Sequence, residues 1–216
     1  MRSVFSDKSA IEGFKKIILD ALNRGLSGLR GNASPRTVGD MAQDIVENLF
    51  AKGLPPDIGV AVQEKFARRA MADVAFTDRH ENYVVVDVKT HNEDTAFNMP
   101  NLISVERIAR FYGDDTNFFS LLIAKYTMAD GRPVFRDVLF VPVEHLNWDC
   151  LILGALGWGQ IQIANARVVH VDTMQTRKQW MLKLCDALDL FYPREIEKIN
   201  DRIKHFRAIR EFWENK

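Results

Sequence analysis

The chain has 216 residues, 47% of them hydrophobic, which is enough to bury the core of one sizeable domain. Its 29 basic and 29 acidic residues cancel, which excludes any argument from bulk charge for nucleic-acid, membrane or acidic partners. The two cysteines lack metal-ligand spacing and are expected to be free thiols in a reducing compartment. With no apolar stretch long enough for a signal peptide or a membrane span, we expect a cytoplasmic protein.

The N-terminal half predicts two helices followed by a β-hairpin. Apolar residues recur at helical spacing in 9–23 and in 37–54, and the segment 24–37 has the Gly, Ser, Asn and Pro content of a loop. Residues 71–90 are typical of two strands joined by a polar turn. The second of these strands starts at Tyr83 and is β-branched or aromatic, which indicates a buried central strand.

The C-terminal half predicts a helix after Pro100, then strands, then two final helices. Helical spacing of apolar residues places the helices at 101–113, 176–192 and 193–216. The predicted strands are 118–127, 136–143, 159–164 and 167–172. Helices around a central mixed β-sheet define an α/β fold, and we predict a single domain over 1–216.

Three charged residues flank the open end of the predicted hairpin. Asp73 starts its first strand, and Asp87 and Lys89 end its second. Side chains two apart on a strand share a face, and a short hairpin brings its open ends together. Two carboxylates and a lysine at one place suit metal-assisted phosphodiester hydrolysis. The carboxylates and the backbone carbonyl of Val88 would hold Mg²⁺, while the lysine would orient or deprotonate the attacking water.

The D-x-K triplet also has a simpler explanation, since such triplets are common and usually form surface ion pairs worth ~0–1 kcal/mol. Three features favour a site. The triplet ends a strand too apolar for a sheet edge, Asp73 lies one short hairpin upstream, and a polar loop follows. The residues alone leave both explanations open. Since no Gly-rich phosphate loop is present, ATP dependence is not expected.

Several motifs resemble type II restriction endonucleases of the PD-(D/E)xK superfamily, in particular the HincII-like group. D-V-K-T ends at Thr90, P-N-x-I-S begins at Pro100, and W-G-Q-I-Q-I and T-R follow in the same order. The segment from Arg36 to Phe50 resembles the early helix of that group. The resemblance runs from about residue 33 to 206, although Ala72 stands where the superfamily motif has proline. It implies the nuclease fold, with a catalytic core at about 33–190.

The resemblance implies an enzyme of a restriction–modification system that cuts double-stranded DNA at a short palindromic sequence. As in the EcoRV-like branch, the ends would be blunt, with 5′-phosphate and 3′-hydroxyl groups. The enzyme would be a homodimer that uses Mg²⁺, with Mn²⁺ as a substitute, and a cognate DNA methyltransferase would protect the same site. Asp73 and Asp87 would be the metal ligands and Lys89 the catalytic lysine. Asp44 or Glu47 could add a carboxylate, although helix carboxylates are more often simply solvated.

The candidate DNA contacts come from the loop after the site, from the paired glutamines and from two basic positions. Asparagine can pair with adenine in the major groove, although capping of the next helix is the alternative for Asn101. Alternating glutamines on a strand either face solvent or read base edges. Arg177 and the segment Ser34 to Arg36 are expected to contact phosphates. The full set is Ser34, Arg36, Asn98, Met99, Asn101, Ser104, Gln160, Gln162 and Arg177.

Two alternatives to a site-specific enzyme remain open. A repair or junction nuclease of the same fold would cut by DNA structure instead of sequence. A non-catalytic DNA-binding protein would carry the D-x-K triplet as an ion pair only. The substitution Lys89→Ala separates these classes: a nuclease would lose orders of magnitude in rate while keeping DNA binding, and a binding protein would barely change.

Overall fold

The computed structural model describes residues 2–29, 34–62, 73–95, 100–165 and 167–216. The helices in these parts are α1 (Lys8–Gly25), α2 (Pro35–Ala51), α3 (Val105–Phe111) and α4 (Arg177–Glu214). The strands are β1 (Gly59–Val62), β2 (Val74–Asp78), β3 (Tyr83–Asn92), β4 (Asn101–Ser104), β5 (Asn117–Ala129), β6 (Arg132–Pro142), β7 (Leu151–Gly154) and β8 (Gln160–Ile163).

The main sheet has five strands in the order β1-β2-β3-β5-β6. The pair β3–β5 is parallel, and the other neighbours are antiparallel. A smaller antiparallel sheet has the order β4-β8-β7. Helices flank the mixed sheet, so the predicted α/β class and the central mixed sheet are confirmed.

Strand β3 separates two apolar cores. Val84, Val86 and Val88 contribute to the core that contains the buried faces of α1 and α2. Val85 contributes to the other core, which contains the small sheet, α3 and the first turns of α4. A strand that is covered on both faces reads as a continuous run of Val, which explains why the sequence predicted a central strand.

Helix α2 begins close to the carboxyl end of β3. Ser34 is its N-cap, since the Ser34 hydroxyl accepts from the Thr37 N–H at 3.1 Å, and Pro35 occupies the first helical position. The position of Gly39 faces Thr90 of β3, where an added Cβ would lie 3.3 Å from the threonine hydroxyl. The absence of a side chain at Gly39 therefore lets the first turns of α2 pack closely on the end of β3.

Four predicted elements differ in the structure. Asn101 does not cap a helix: it lies in β4 opposite Gln162, and Ser104 caps α3 through the Arg107 N–H at 3.3 Å. Residues 167–172 form only an isolated bridge, between Val171 and Leu146. The two final helices are one helix of 38 residues that continues through Pro193. The prediction that β3 ends at the D-x-K triplet is wrong, because β3 stays paired with β5 as far as Asn92. Strands β1, β4 and β7 were not predicted.

None of the helices in the described parts combines the length and the apolarity that crossing a membrane requires.

Candidate active site

Asp73 lies at the open end of the β2–β3 hairpin and is tied to β3 by two hydrogen bonds. Its N–H donates to the Val86 carbonyl at 3.0 Å, and its Oδ2 accepts from the Val88 N–H at 2.7 Å. The regular pairing of the two strands ends at Val74 and Val86. The Asp73 carboxylate therefore takes the place that a further residue of β2 would have filled, directly beside Asp87.

Asp87 and Lys89 project from the same face of β3, as their spacing predicts. The Lys89 Nζ donates to the Asp87 Oδ1 at 2.6 Å. Asp87 is 6% exposed, and its Oδ2 has no hydrogen-bond partner within the described structure. Burial raises the pKa of Asp87 from its usual 3.8 to about 6; Lys89 opposes this shift and the nearby charge of Asp73 adds to it.

Gln43 of α2 connects the helix to the hairpin. Its Nε2 donates to the Asp73 Oδ1 at 2.9 Å and to the Glu47 Oε1 at 2.8 Å. Glu47, one of the two helix carboxylates singled out in the sequence, therefore lies beside the site, whereas Asp44 is exposed on another face of α2. Sequence reasoning missed Gln43, although its i, i+4 spacing to Glu47 placed the two on one helix face.

The donor atoms at the point where the β2–β3 pairing ends suit a hard cation. The N–H and C=O of one strand residue point to the same neighbouring strand, so the Val88 carbonyl faces the side on which Asp73 lies. No three His, Cys, Asp or Glu side chains within the described ranges gather closely enough to hold a metal by themselves. Mg²⁺ nevertheless prefers oxygen ligands of this kind: two carboxylates and a carbonyl from the protein, with water and phosphate in the remaining coordination positions.

Basic side chains surround the carboxyl end of β3. His91 follows Lys89 on the same face and is 1% exposed, and burial, followed by the charge of Lys125, lowers the pKa of His91. Lys125 lies opposite His91 on β5, with its Nζ 3.7 Å from an Asp137 oxygen. Arg167 donates to the Glu93 carbonyl at 2.6 Å. His91 is thus expected to stay neutral at pH 7, so Lys89, Lys125 and Arg167 supply the positive charge at this end.

Four of the predicted DNA contacts lie together on the small sheet. Asn101 is paired with Gln162 and hydrogen-bonded to it, and Ser104 is paired with Gln160. Both glutamines are partly exposed, whereas the isoleucines that alternate with them are fully buried. A hydrogen bond from the Ile163 N–H to the Pro100 carbonyl, at 3.2 Å, joins this sheet to the chain that follows β3.

Two further candidates lie at the start of α2, the helix end that approaches β3. The Ser34 hydroxyl is used as the helix cap. The Arg36 side chain is 91% exposed, with its nearest guanidinium nitrogen 3.9 Å from an Asp40 oxygen, so it remains accessible to a phosphate. Asn98 and Met99 lie outside the described residues.

Arg177 has a different environment from the one predicted. Its guanidinium donates to the Glu144 carboxylate at 3.0 Å and to the Asp115 carbonyl at 2.9 Å, and it stacks between the rings of Tyr112 and Phe118 at 4.2 and 4.5 Å. Asp115 precedes β5, whose first residue pairs with the start of β3, so Arg177 lies at the end of the sheet opposite Lys89. This packing argues against a phosphate contact.

Comparison with known proteins adds no relative: no family model matches the chain, and a search of curated proteins finds no significant match.

Proposed function

We propose that this protein is a Mg²⁺-dependent endonuclease that hydrolyses phosphodiester bonds of double-stranded DNA. The observation that supports this most directly is the state of Asp87. It is buried in the middle of β3, where the pairing of this strand with β2 ends, between Asp73 and Lys89, and one of its carboxylate oxygens has no partner within the described structure. A buried carboxylate oxygen without a partner is costly, and carboxylates with raised pKa values concentrate at functional sites.

Each residue of the site has a distinct part in the proposed reaction. Asp73 and Asp87, with the Val88 carbonyl, would hold Mg²⁺, which supplies charge neutralisation and a lowered pKa for the attacking water. Lys89 orients that water and stabilises the negative charge that develops on the phosphate oxygens. Gln43 holds the Asp73 carboxylate in place through its Oδ1. In the structure Lys89 forms an ion pair with Asp87, so Lys89 would become available for this part if a bound cation shared the charge of Asp87.

The DNA would approach the carboxyl end of β3. Lys125, Arg167 and Arg36 are the basic residues around this end and would contact phosphates, which position the duplex without reading its sequence. Arg167, four residues after β8, donates to the Glu93 carbonyl just beyond β3 and so links the small sheet to this end. The polar face of that sheet, with Asn101 and Gln162, carries the amides needed for contacts to base edges.

The finer features of the proposal come from the resemblance to HincII-like restriction endonucleases. They are the PD-(D/E)xK fold, a short palindromic target, blunt ends, a homodimer, Mn²⁺ as a substitute metal, and a methyltransferase that protects the target in the cell. The mixed sheet supports the first of these, because two antiparallel strands followed by a parallel one place Asp73 and Asp87 at a single sheet end.

A plasmid digest with Mg²⁺ tests the proposal when wild type is compared with Lys89→Ala and with Lys16→Ala. Lys16 is an exposed lysine of α1 and serves as the matched control. We expect discrete fragments from wild type and from the control, and none from Lys89→Ala, which should still bind DNA. Sequencing of the fragment ends gives the target and the position of the cut.

The other outcomes separate the alternatives. Nicks or smears that depend on Lys89 would indicate a structure-specific nuclease. Intact DNA with all three proteins, over several DNA substrates, would refute nuclease activity and leave the D-x-K triplet as an ion pair.

A further inference from the structure

The second half of α4 extends beyond the body of the protein. Trp180 and Leu184, in its first turns, are buried in the core that contains the small sheet. The Tyr192 hydroxyl then donates to the Trp158 carbonyl at 2.7 Å. Every residue from 196 to 216 is exposed. With a rise of 1.5 Å per residue, roughly 28 Å of helix therefore packs against none of the described parts of the chain.

An apolar stripe with alternating spacings of three and four residues follows the exposed side of α4. Seven of its ten positions carry large apolar side chains, one carries cysteine, and all ten are exposed. This average spacing of 3.5 residues is the signature of a helix that pairs with another helix. We name the stripe the α4 seam; it consists of Leu182, Cys185, Asp189, Tyr192, Ile196, Ile199, Ile203, Phe206, Arg210 and Trp213.

Two neighbouring segments in the middle of α4 carry opposite charge. Residues 186–197 carry four acidic side chains and one arginine, whereas residues 202–210 carry four basic side chains and no acidic one. A parallel pair of α4 helices would bring the two basic segments together. An antiparallel pair would place the basic segment of each helix against the acidic segment of the other.

We propose that α4 pairs antiparallel with α4 of a second copy of this chain, and that Ile196 of one copy packs on Ile199 of the other. Within the seven-residue repeat of the α4 seam, Ile196 occupies the first position and Ile199 the fourth. In this register every first-position residue packs against a fourth-position residue of the opposite helix, as knobs-into-holes packing requires. The seam layers on either side then pair Tyr192 with Ile203, Asp189 with Phe206, Cys185 with Arg210 and Leu182 with Trp213.

The residues that flank the seam favour this register over its neighbours. Antiparallel helices contact each other through pairs of like heptad positions beside the seam. Here two of those pairs are of opposite charge, Glu195 with Arg202 and Asp186 with Arg207. The other two are uncharged: Leu188 with Ile209, and Pro193 with Asn200. If one helix slid by seven residues, so that Ile196 packed on the second copy's Phe206, Arg202 would lie against the second copy's Arg202. The charge pattern therefore selects both the direction and the register.

The area that the pairing covers is adequate for a dimer. A large aliphatic side chain removes on the order of 80 Å² from water when it is buried, and an aromatic one about 150–250 Å². Partial burial of the apolar seam residues of two copies gives on the order of 1,000–1,500 Å², which is within the range of specific interfaces. The pairing does not depend on nuclease activity, although it would give the proposed homodimer an interface.

Cross-linking tests the direction and register in the full-length chain. Cys185 is exposed and lies opposite Arg210 in the proposed register, whereas the other cysteine, Cys150, is buried. Within one helix the two positions are about 37 Å apart, so no intrachain disulfide can form. Under mild oxidation Arg210→Cys is expected to give a disulfide-linked dimer, and Arg210→Cys with Cys185→Ser is expected to give none. Linkage in the second variant would indicate parallel helices and overturn the proposal.

The molar mass in solution, from light scattering over a range of concentrations, tests the seam itself. Wild type is expected to be a dimer, and Ile199→Glu with Ile203→Glu a monomer whose body remains folded by circular dichroism. The matched control is Leu190→Glu with Phe212→Glu, two exposed apolar residues of α4 outside the seam, and it should stay dimeric. A monomeric wild type, or equal effects of the two double variants, would overturn the proposal.

Charge exchange tests the flanking pairs. Arg202→Glu with Arg207→Glu should weaken dimerisation at least 10-fold, and so should Asp186→Arg with Glu195→Arg. An equimolar mixture of the two variants should recover a dimer of near wild-type affinity. Arg194→Glu with Lys204→Glu reverses the same number of charges off the seam and should have little effect. Failure of the mixture to recover the dimer would contradict the proposed register.

Discussion

The substitution Asp87→Asn is expected to stabilise the metal-free protein at pH 8, because it removes a buried negative charge that lowers the free energy of unfolding. The pKa of Asp87 is about 6 in the folded protein, compared with 3.8 for an ordinary Asp side chain. At 1.36 kcal/mol for each pKa unit, ionising Asp87 costs the folded state roughly 3 kcal/mol more than it costs the unfolded chain. Asparagine has nearly the same shape and carries no charge.

The sign of the effect follows from the direction of the shift. Because the folded pKa is raised, the contribution of Asp87 to stability is fully present below about pH 3.8 and is lost as the pH rises through about 6. The free energy of unfolding of Asp87→Asn, minus that of wild type, should therefore rise from about 0.5 kcal/mol at pH 4 to a plateau of about 3 kcal/mol above pH 7. Taking the difference cancels the titration of groups that the two proteins share.

Urea unfolding without metal at pH 4, 6 and 8 measures this difference. Asp20→Asn is the matched control, since Asp20 is an exposed carboxylate of α1, and its difference should stay within about 0.5 kcal/mol at every pH. Added Mg²⁺ should stabilise wild type, by about 1.4 kcal/mol at ten times the dissociation constant, and should stabilise Asp87→Asn much less. A destabilised Asp87→Asn at pH 8, or a difference that does not change with pH, would refute the reasoning.

Three further predictions concern residues around the site and in the two cores. Gln43→Ala should raise the Mg²⁺ concentration needed for half-maximal cleavage about 10-fold, because Asp73 loses the bond that orients it, while urea unfolding should change by no more than about 1 kcal/mol. Glu144→Ala should cost about 3–5 kcal/mol in urea unfolding, because the largely buried Arg177 loses its ion pair; a loss below about 1 kcal/mol would contradict this. Gly59→Ala should cost about 1–3 kcal/mol, since its Cβ would lie 2.8–3.0 Å from two side chains and a carbonyl, and an unchanged melting temperature would contradict it.

The central hairpin and the D-x-K placement were predictable from local sequence alone. A run of β-branched residues fixes a buried strand, and the two-residue period of a strand fixes which side chains share its face. Asp87 and Lys89 are therefore neighbours in any fold that keeps β3. The contact between Gln43 and Asp73 could not be predicted in the same way, because it depends on how α2 packs against the hairpin. That packing brings it within hydrogen-bond distance of a residue 30 positions away.

The continuous helix α4 and the strand conformation of Asn101 could not be predicted from local sequence. A proline inside a helix removes one backbone hydrogen bond and usually ends the helix, so the sequence predicts two helices that meet at Pro193. In the structure α4 continues, and Pro193 is exposed, so water can satisfy the carbonyl that the missing N–H leaves free. Similarly, helical spacing placed Asn101 in a helix, but pairing with β8 holds it in a strand. In both cases the tertiary environment outweighs the local preference.

Two buried carboxylates of this chain show how a structural ion pair differs from a candidate catalytic one. Glu144 accepts hydrogen bonds from Arg177 and from the Tyr112 hydroxyl, so both of its oxygens are used. Asp87 has only Lys89, on one oxygen, and the other oxygen is buried without a partner in the described structure. If Asp87 served stability alone, an uncharged residue of similar size would serve better, since it would avoid the ionisation cost. A carboxylate that destabilises its own fold at neutral pH is most simply explained by a ligand that neutralises its charge. A divalent cation beside Asp87 has the required charge.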